Sequence, residues 1–364
     1  MRKNKQACYY PDYLQLNKII GAQHPVSKDY GDEAHDEMLF IITHQAYELW
    51  FKQVLHEINS VLPMFKSPTV QEQNLGKIIH RLNRITTIQQ VLLDQLTVIE
   101  TMTPLDFLDF RDYLIPASGF QSVQFKEIEI LLGLKSKYRV NFDKKSFYSR
   151  IREDHRDHLI ELEEQPSLLE LVDNWLARMP FLEFGEFEFW TSYSNAVDEM
   201  LESDKQIILG LEELTDEDRA FQLKDLEMTR ENFDALLDEK RYQELQADGK
   251  FRFSRNALLA AVFINLYRDE PMLQVPFQLL TTLLEIDENF TKWRSQHVLM
   301  VHRMLGSKIG TGGSSGHEYL RSTTNNNRFF MDLFNLSTFL IPRSALPELP
   351  KSVKEAMSYF YQGE

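Results

Sequence analysis

Between Leu75 and Ile99, apolar residues recur at steps of three and four: Leu75, Ile78, Ile79, Leu82, Ile85, Leu92, Leu96 and Ile99. A pattern of that period needs an amphipathic helix of about seven turns, and a helix that long needs partners of matching length. A second stripe, Phe40, His44, Tyr47 and Phe51, predicts another long helix over Glu33 to Leu62. Further helices are expected over Leu168 to Met179, near Ser254 to Tyr267, and near Phe277 to Leu305. Strand-like alternation is nearly absent. Gly (14) and Pro (13) are sparse for 364 residues, which also favours helices. The expected fold class is all-α, with long amphipathic helices around a buried pocket. No internal repeat or linker is visible, so residues 1–364 read as a single helical domain. Asn195 to Gly249 is dense in charge and reads as peripheral, exposed helices.

Local punctuation sharpens this picture. In TMTPLDF, Thr103 reads as an N-cap, Pro104 as the first helical residue and Asp106 as the partner in a capping box. That helix should run to about Leu114. Pro116, Ser118 and Gly119 then predict a turn, with a new helix from near Phe120. Five of the fourteen glycines crowd into GSKIGTGGSSG, from Gly306 to Gly316. With no GK[ST] ending and no preceding strand, this is neither a P-loop nor a dinucleotide fingerprint. Two readings stay open: a helix C-cap followed by a plain loop, or a loop whose N–H and hydroxyl groups close over a polar ligand.

Charge and cysteine content exclude several functions. A net charge of −15 repels phosphate backbones and argues against nucleic acid as a partner. The one cysteine, Cys8, permits neither an internal disulfide nor a CxxCH haem attachment. The N-terminal stretch does not read as a signal peptide, and the longest apolar run, Ala257 to Ile264, is too short to span a bilayer. No membrane association and a reducing, cytoplasmic setting are expected.

Three residues carry the chemical alternatives. His44 lies on an apolar helix face one turn after Phe40, as either a satisfied core histidine or a pocket residue. His297 shares a stripe with Trp293, Val301 and Met304, as either core or an axial haem ligand. His302 is five positions on, about 140° round the helix, and cannot share a metal with it. Arg111 sits four residues after Phe107, suited either to a surface ion pair with Asp106 or Asp112 or to bidentate capture of a carboxylate. His155 and His158, among acids, read as a solvated face. There is no HExxH and no GxSxG. A purely helical interaction protein and a haem-based sensor both remain compatible with these residues taken alone.

Longer blocks go further. FIITHQAYELWFKQ (Phe40 to Gln53), ETMTPLDF (Glu100 to Phe107), FRDYLIPASGFQSVQF (Phe110 to Phe125), TKWRSQHVLMVHRMLGSKIGTGGSSG (Thr291 to Gly316) and DLFNLSTFLIPR (Asp332 to Arg343) closely resemble the tryptophan 2,3-dioxygenase family. YRDEP and VPFQLL, between Tyr267 and Leu280, fit the same pattern.

The resemblance implies a haem dioxygenase that inserts O2 into the indole ring of L-tryptophan, giving N-formyl-L-kynurenine at the first step of the kynurenine pathway. It implies one b-type haem per subunit, with His297 as the axial iron ligand and O2 as co-substrate. His44 would be the distal histidine, meeting the indole N–H. Phe40, Ile41, Ile42, Thr43 and His44 would line the pocket, with Phe107 against the indole. Arg111 would bind the substrate carboxylate, and Thr311 its ammonium and carboxylate. Ser118 and Gly119 would lie at the distal haem face. The family forms a homotetramer in which two N-terminal tyrosines, here Tyr10 and Tyr13, complete a neighbour's pocket. Pro11 stands where the family usually has glycine, a departure that bears on the local backbone.

Overall fold

A computed structural model describes residues 7–66, 72–139, 147–179, 189–306 and 327–357. Among them there is no strand, so the all-α class holds. Three short helices, α1 (Tyr10–Leu14), α2 (Leu16–Ile19) and α3 (Val26–Asp29), lead into α4 (Glu37–Phe65). The entry to α4 is held by the buried carboxylate of Glu37, which accepts from the backbone N–H of Val26 (2.7 Å) and Ser27 (3.0 Å). α5 (Glu72–Ile99) follows, and the capping box expected at Thr103 opens α6 (Pro104–Arg111). The chain tightens into one 3-10 turn, Asp112–Leu114, where the sequence suggested continued α-helix.

The next helix also differs from expectation. Gly119–Gln121 forms a single 3-10 turn, and α7 (Val123–Leu132) starts later than Phe120. The physical reason is Ser122, whose hydroxyl caps the N–H of Phe125. Then come α8 (Glu153–Glu164), α9 (Leu168–Ala177), α10 (Phe189–Gly210), α11 (Asp216–Leu237) and α12 (Glu239–Ala247). α13 (Arg255–Leu266) precedes the longest helix, α14 (Pro271–Leu305). α14 begins six positions before the expected Phe277, because Pro271 suits a first turn and Pro276 is carried inside the helix. α15 (Met331–Phe334) and α16 (Lys351–Ala356) close the order.

α5 is the central pillar, packed between α4 and α14. Its apolar stripe is almost wholly enclosed: Ile78, Leu82 and Ile85 have no exposed surface. Side-chain amides stitch the three long helices where the stripe ends. Gln95 donates to the carbonyl of Thr43 on α4 (2.8 Å), Gln89 to that of Ile286 on α14 (2.9 Å), and Gln90 to Asn289 Oδ1 (3.1 Å). Of the three amides only that of Gln89 is buried, and left unpaired it would cost about 1–3 kcal/mol.

α10 and α11 pack on one another, and much of the surface of α10 to α12 is exposed, in line with the charged composition. They are nonetheless rooted in the core. Tyr193 and Tyr242 are fully buried and donate to the carbonyls of Phe339 (2.5 Å) and Phe253 (2.9 Å). Burial pushes the phenol of each well above its usual range. Among the described residues, no helix is long and apolar enough to cross a membrane.

Candidate active site

The two histidines singled out from the sequence arrive from different helices at one half-open cavity of about 120 Å³. α4 contributes Phe40 and His44. The end of α5 and the turn after it contribute Ile99 and Met102, and α6 contributes Phe107. The last turns of α14 supply His297, Met300, Val301, Met304 and Leu305. The described lining is therefore apolar apart from two imidazoles.

His44 is locally constrained. Its Nδ1 lies 2.7 Å from the carbonyl oxygen of Phe40, one turn earlier. A carbonyl can only accept, so Nδ1 carries the proton and Nε2 of the neutral ring is a bare acceptor. The ring remains accessible from the cavity, but desolvation by the surrounding protein lowers its pKa. His297 is also depressed, to about 4, first by burial and then by its proximity to His44. Both rings are thus neutral near pH 7, and a neutral imidazole is the form that binds a metal.

Three aromatic rings shape the other wall. Phe40 stacks on Phe107 with centroids 5.8 Å apart, and Phe110 stands edge-on to both, at 5.5 Å from Phe40 and 5.4 Å from Phe107. Phe110 is fully buried and fixes the other two.

His297 is held by more distant anchors. One helical turn earlier, Trp293 stacks on its ring. Arg294 is buried and donates to the carbonyl of Asn327 (2.6 Å) and to Glu129 Oε1 on α7 (2.8 Å). Asp287, also on α14, accepts from the backbone N–H groups of Phe329 and Phe330. Gly306 ends α14 with φ of 58°, in the region that favours glycine, and its N–H returns to the carbonyl of His302. The C-cap expected there is present, and His302 is exposed, as its helical phase required.

The other candidates are not among the residues that line the described cavity. Arg111 ends α6 with its side chain 14% exposed, and its Nη1 is 3.4 Å from Oδ1 of Asp112, which is 81% exposed. A pair that long, with so exposed a partner, contributes little. Ile41 is half-buried, Ile42 points outward, and Thr43 is buried with its carbonyl taken by Gln95. Ser118 caps the N–H of Phe120, beside an exposed Gly119. Tyr10 and Tyr13 project from α1, 68% and 73% exposed. Pro11 sits in the first turn of α1, where its missing N–H costs nothing. Thr311 lies outside the described residues.

Sequence comparison supplies the context. The family model described as tryptophan 2,3-dioxygenase matches residues 1–340. The chain is 55% identical to the tryptophan 2,3-dioxygenase of Alteromonas mediterranea, over 100% of both chains. It is 50% identical to that of Bdellovibrio bacteriovorus, over 97% of this chain and 98% of the relative. It is 46% identical to that of Dictyostelium discoideum, over 98% and 89%.

The chain belongs to the tryptophan 2,3-dioxygenase family.

The family match spans every cavity residue, from Phe40 to Leu305. Some cavity residues of this tryptophan 2,3-dioxygenase family member were not picked out as candidates from the sequence. Ile99 ends a core stripe and Met102 precedes a cap, and neither pattern marks a cavity residue in the sequence. Met300 falls one turn after His297, and that spacing is the signal that could have found it.

Proposed function

We propose that the cavity holds L-tryptophan beside a b-type haem carried on His297, one per subunit, and that O2 is inserted across the pyrrole double bond to give N-formyl-L-kynurenine. The observation that carries this is the pair of neutral imidazoles facing one apolar cavity, in a chain of the tryptophan 2,3-dioxygenase family. The donor set fits haem. Among the described residues no three His, Cys, Asp or Glu side chains gather as a metal site. A lone imidazole suits an iron whose equatorial positions a macrocycle fills, and methionine and aliphatic walls suit the macrocycle's faces. The haem, when bound, supplies the iron that activates O2.

The chain's own share is binding and orientation. Phe40 and Phe107 present stacked faces against which an indole packs. His44, fixed by Phe40's carbonyl, offers Nε2 as acceptor to the indole N–H. It acts as a positioning acceptor and not as an obligatory base, because the indole N–H is very weakly acidic. Arg111 and Thr311 hold the carboxylate and ammonium ends. For Arg111, the support is a mostly buried guanidinium at the end of the helix that carries Phe107. Orientation of this kind can account for a large part of a rate enhancement.

The single-domain organisation, a homotetramer and a cytoplasmic setting belong to the same proposal. Tyr10 and Tyr13, exposed on one chain, are the residues available to close a neighbour's pocket. The deciding experiment is turnover. Protein loaded with haem, reduced, and given L-tryptophan in air should form N-formylkynurenine with equal O2 uptake. Haem uptake without product would leave a binding protein in its place. Tryptamine, which lacks the carboxylate, should be a very poor substrate.

A further inference from the structure

A ligating imidazole is usually oriented by a hydrogen bond from its second nitrogen. Among the described residues, neither ring nitrogen of His297 makes one. What constrains the ring is Trp293, four residues earlier on α14: the planes lie within 8° and the centroids are 5.0 Å apart. Trp293 is itself held from the opposite helix. Its Nε1–H lies 3.5 Å from the hydroxyl of Tyr47 on α4, its ring stands edge-on to that of Tyr47 at 6.0 Å, and Phe125 packs against it at 5.5 Å. Tyr47 is buried, and its hydroxyl donates to the carbonyl of Leu92 on α5 at 2.7 Å. Tyr47 follows His44 by three residues and Trp293 precedes His297 by four, so each member of this bridge lies one turn from one imidazole.

We propose that Trp293 is the positioning residue for His297, setting the plane its imidazole presents to the iron, and that Tyr47 fixes Trp293 so that both imidazoles are referenced to one another through a single contact between α4 and α14. The inference rests on the proposed role of His297. Rotation about the last side-chain bond of a histidine is soft, so an imidazole without a hydrogen bond takes its angle from its packing. An offset stack on a large flat ring restrains that angle, and an aliphatic neighbour does not. The bridge also explains why a hydroxyl is buried at position 47, on a face otherwise given to hydrophobic packing.

The test uses the haem-loaded protein and the haem-free protein side by side, as wild type, Trp293→Leu, Trp293→Phe and Tyr47→Phe. In the reduced loaded protein, Trp293→Leu should shift and broaden the iron–imidazole stretching band, and haem transfer to apomyoglobin should quicken by about tenfold or more. Trp293→Phe keeps a stack and should recover most of both. In the haem-free protein, Tyr47→Phe should move the indole N–H resonance of Trp293, one of only four such signals in this chain, together with the ring resonances of His297. A wild-type band and a wild-type rate of haem loss in Trp293→Leu would overturn the proposal. So would unmoved His297 resonances in both Trp293→Leu and Tyr47→Phe. If the wild type takes up no haem on an imidazole, the proposed function fails instead, and the haem-free spectra alone then decide whether the bridge orients His297.

Discussion

The two walls of the cavity are built differently. The α14 wall is bolted down by buried polar groups. Arg294 ties it to Glu129 and to the carbonyl of Asn327, Asp287 grips two backbone N–H groups, and Trp293 pins the ring that matters. The wall from α4 and α6 relies on aromatic packing around Phe110 and on one histidine bonded to its own helix. A wall that must keep one atom at a fixed distance from a flat cofactor gains from rigid anchors. A wall that must admit and release an amino acid gains from contacts that substrate can complete.

That contrast can be broken experimentally, and His297→Ala is the severest attempt. It should abolish axial imidazole ligation and most haem uptake, read from the Soret absorbance per chain. A normal ferrous spectrum would move the cofactor away from α14. Next is Arg294→Leu, which strands the Glu129 carboxylate in the interior. It should cost about 3–5 kcal/mol in urea unfolding, with much of the loss recovered when Glu129→Leu is added. A change under about 1 kcal/mol would mean that the α14 wall is not rigid for the reason given.

On the opposite wall the losses should fall on substrate, not on fold. Arg111→Leu should weaken L-tryptophan binding by about 2–5 kcal/mol, which is roughly thirtyfold or more in KM, with haem content unchanged. An unaltered KM would remove Arg111 from the carboxylate site. His44→Ala should lose one hydrogen bond, about 1–3 kcal/mol in kcat/KM, and leave the haem spectrum intact. Complete inactivity would show instead that His44 takes part in proton transfer. The smallest effect should come from Thr103→Ala, which removes the N-cap of α6 at a cost of about 1 kcal/mol in thermal unfolding.

Much of this architecture was legible in the sequence because it is periodic or local. The stripe from Leu75 to Ile99 requires a long buried helix, and the box at Thr103 and Asp106 needs only four residues to be seen. Helical phase alone separated His297, in the cavity, from His302, outside it. Apolar helix stripes brought His44 and His297 forward and the family blocks added Phe107 against the indole, and the fold places all three on one cavity. What stayed hidden depends on pairs far apart in the chain. Nothing near Glu129 announces Arg294, and Tyr47 and Trp293 each read as ordinary members of an apolar stripe. The start of α14 was also illegible, because Pro276 looks like a boundary unless its burial inside the helix is known.

α14 also acts as a ruler. Asp287 and Arg294 grip the return strand of chain at residues 327–330, and His297 is set at a fixed number of steps beyond them on the same rigid rod. A helix advances about 1.5 Å and turns about 100° per residue. One residue inserted between Asn289 and Arg294 would therefore leave Asp287 in place and swing His297 out of the cavity. Between Asp287 and His297 the chain should therefore tolerate no change in length, whatever residue is added.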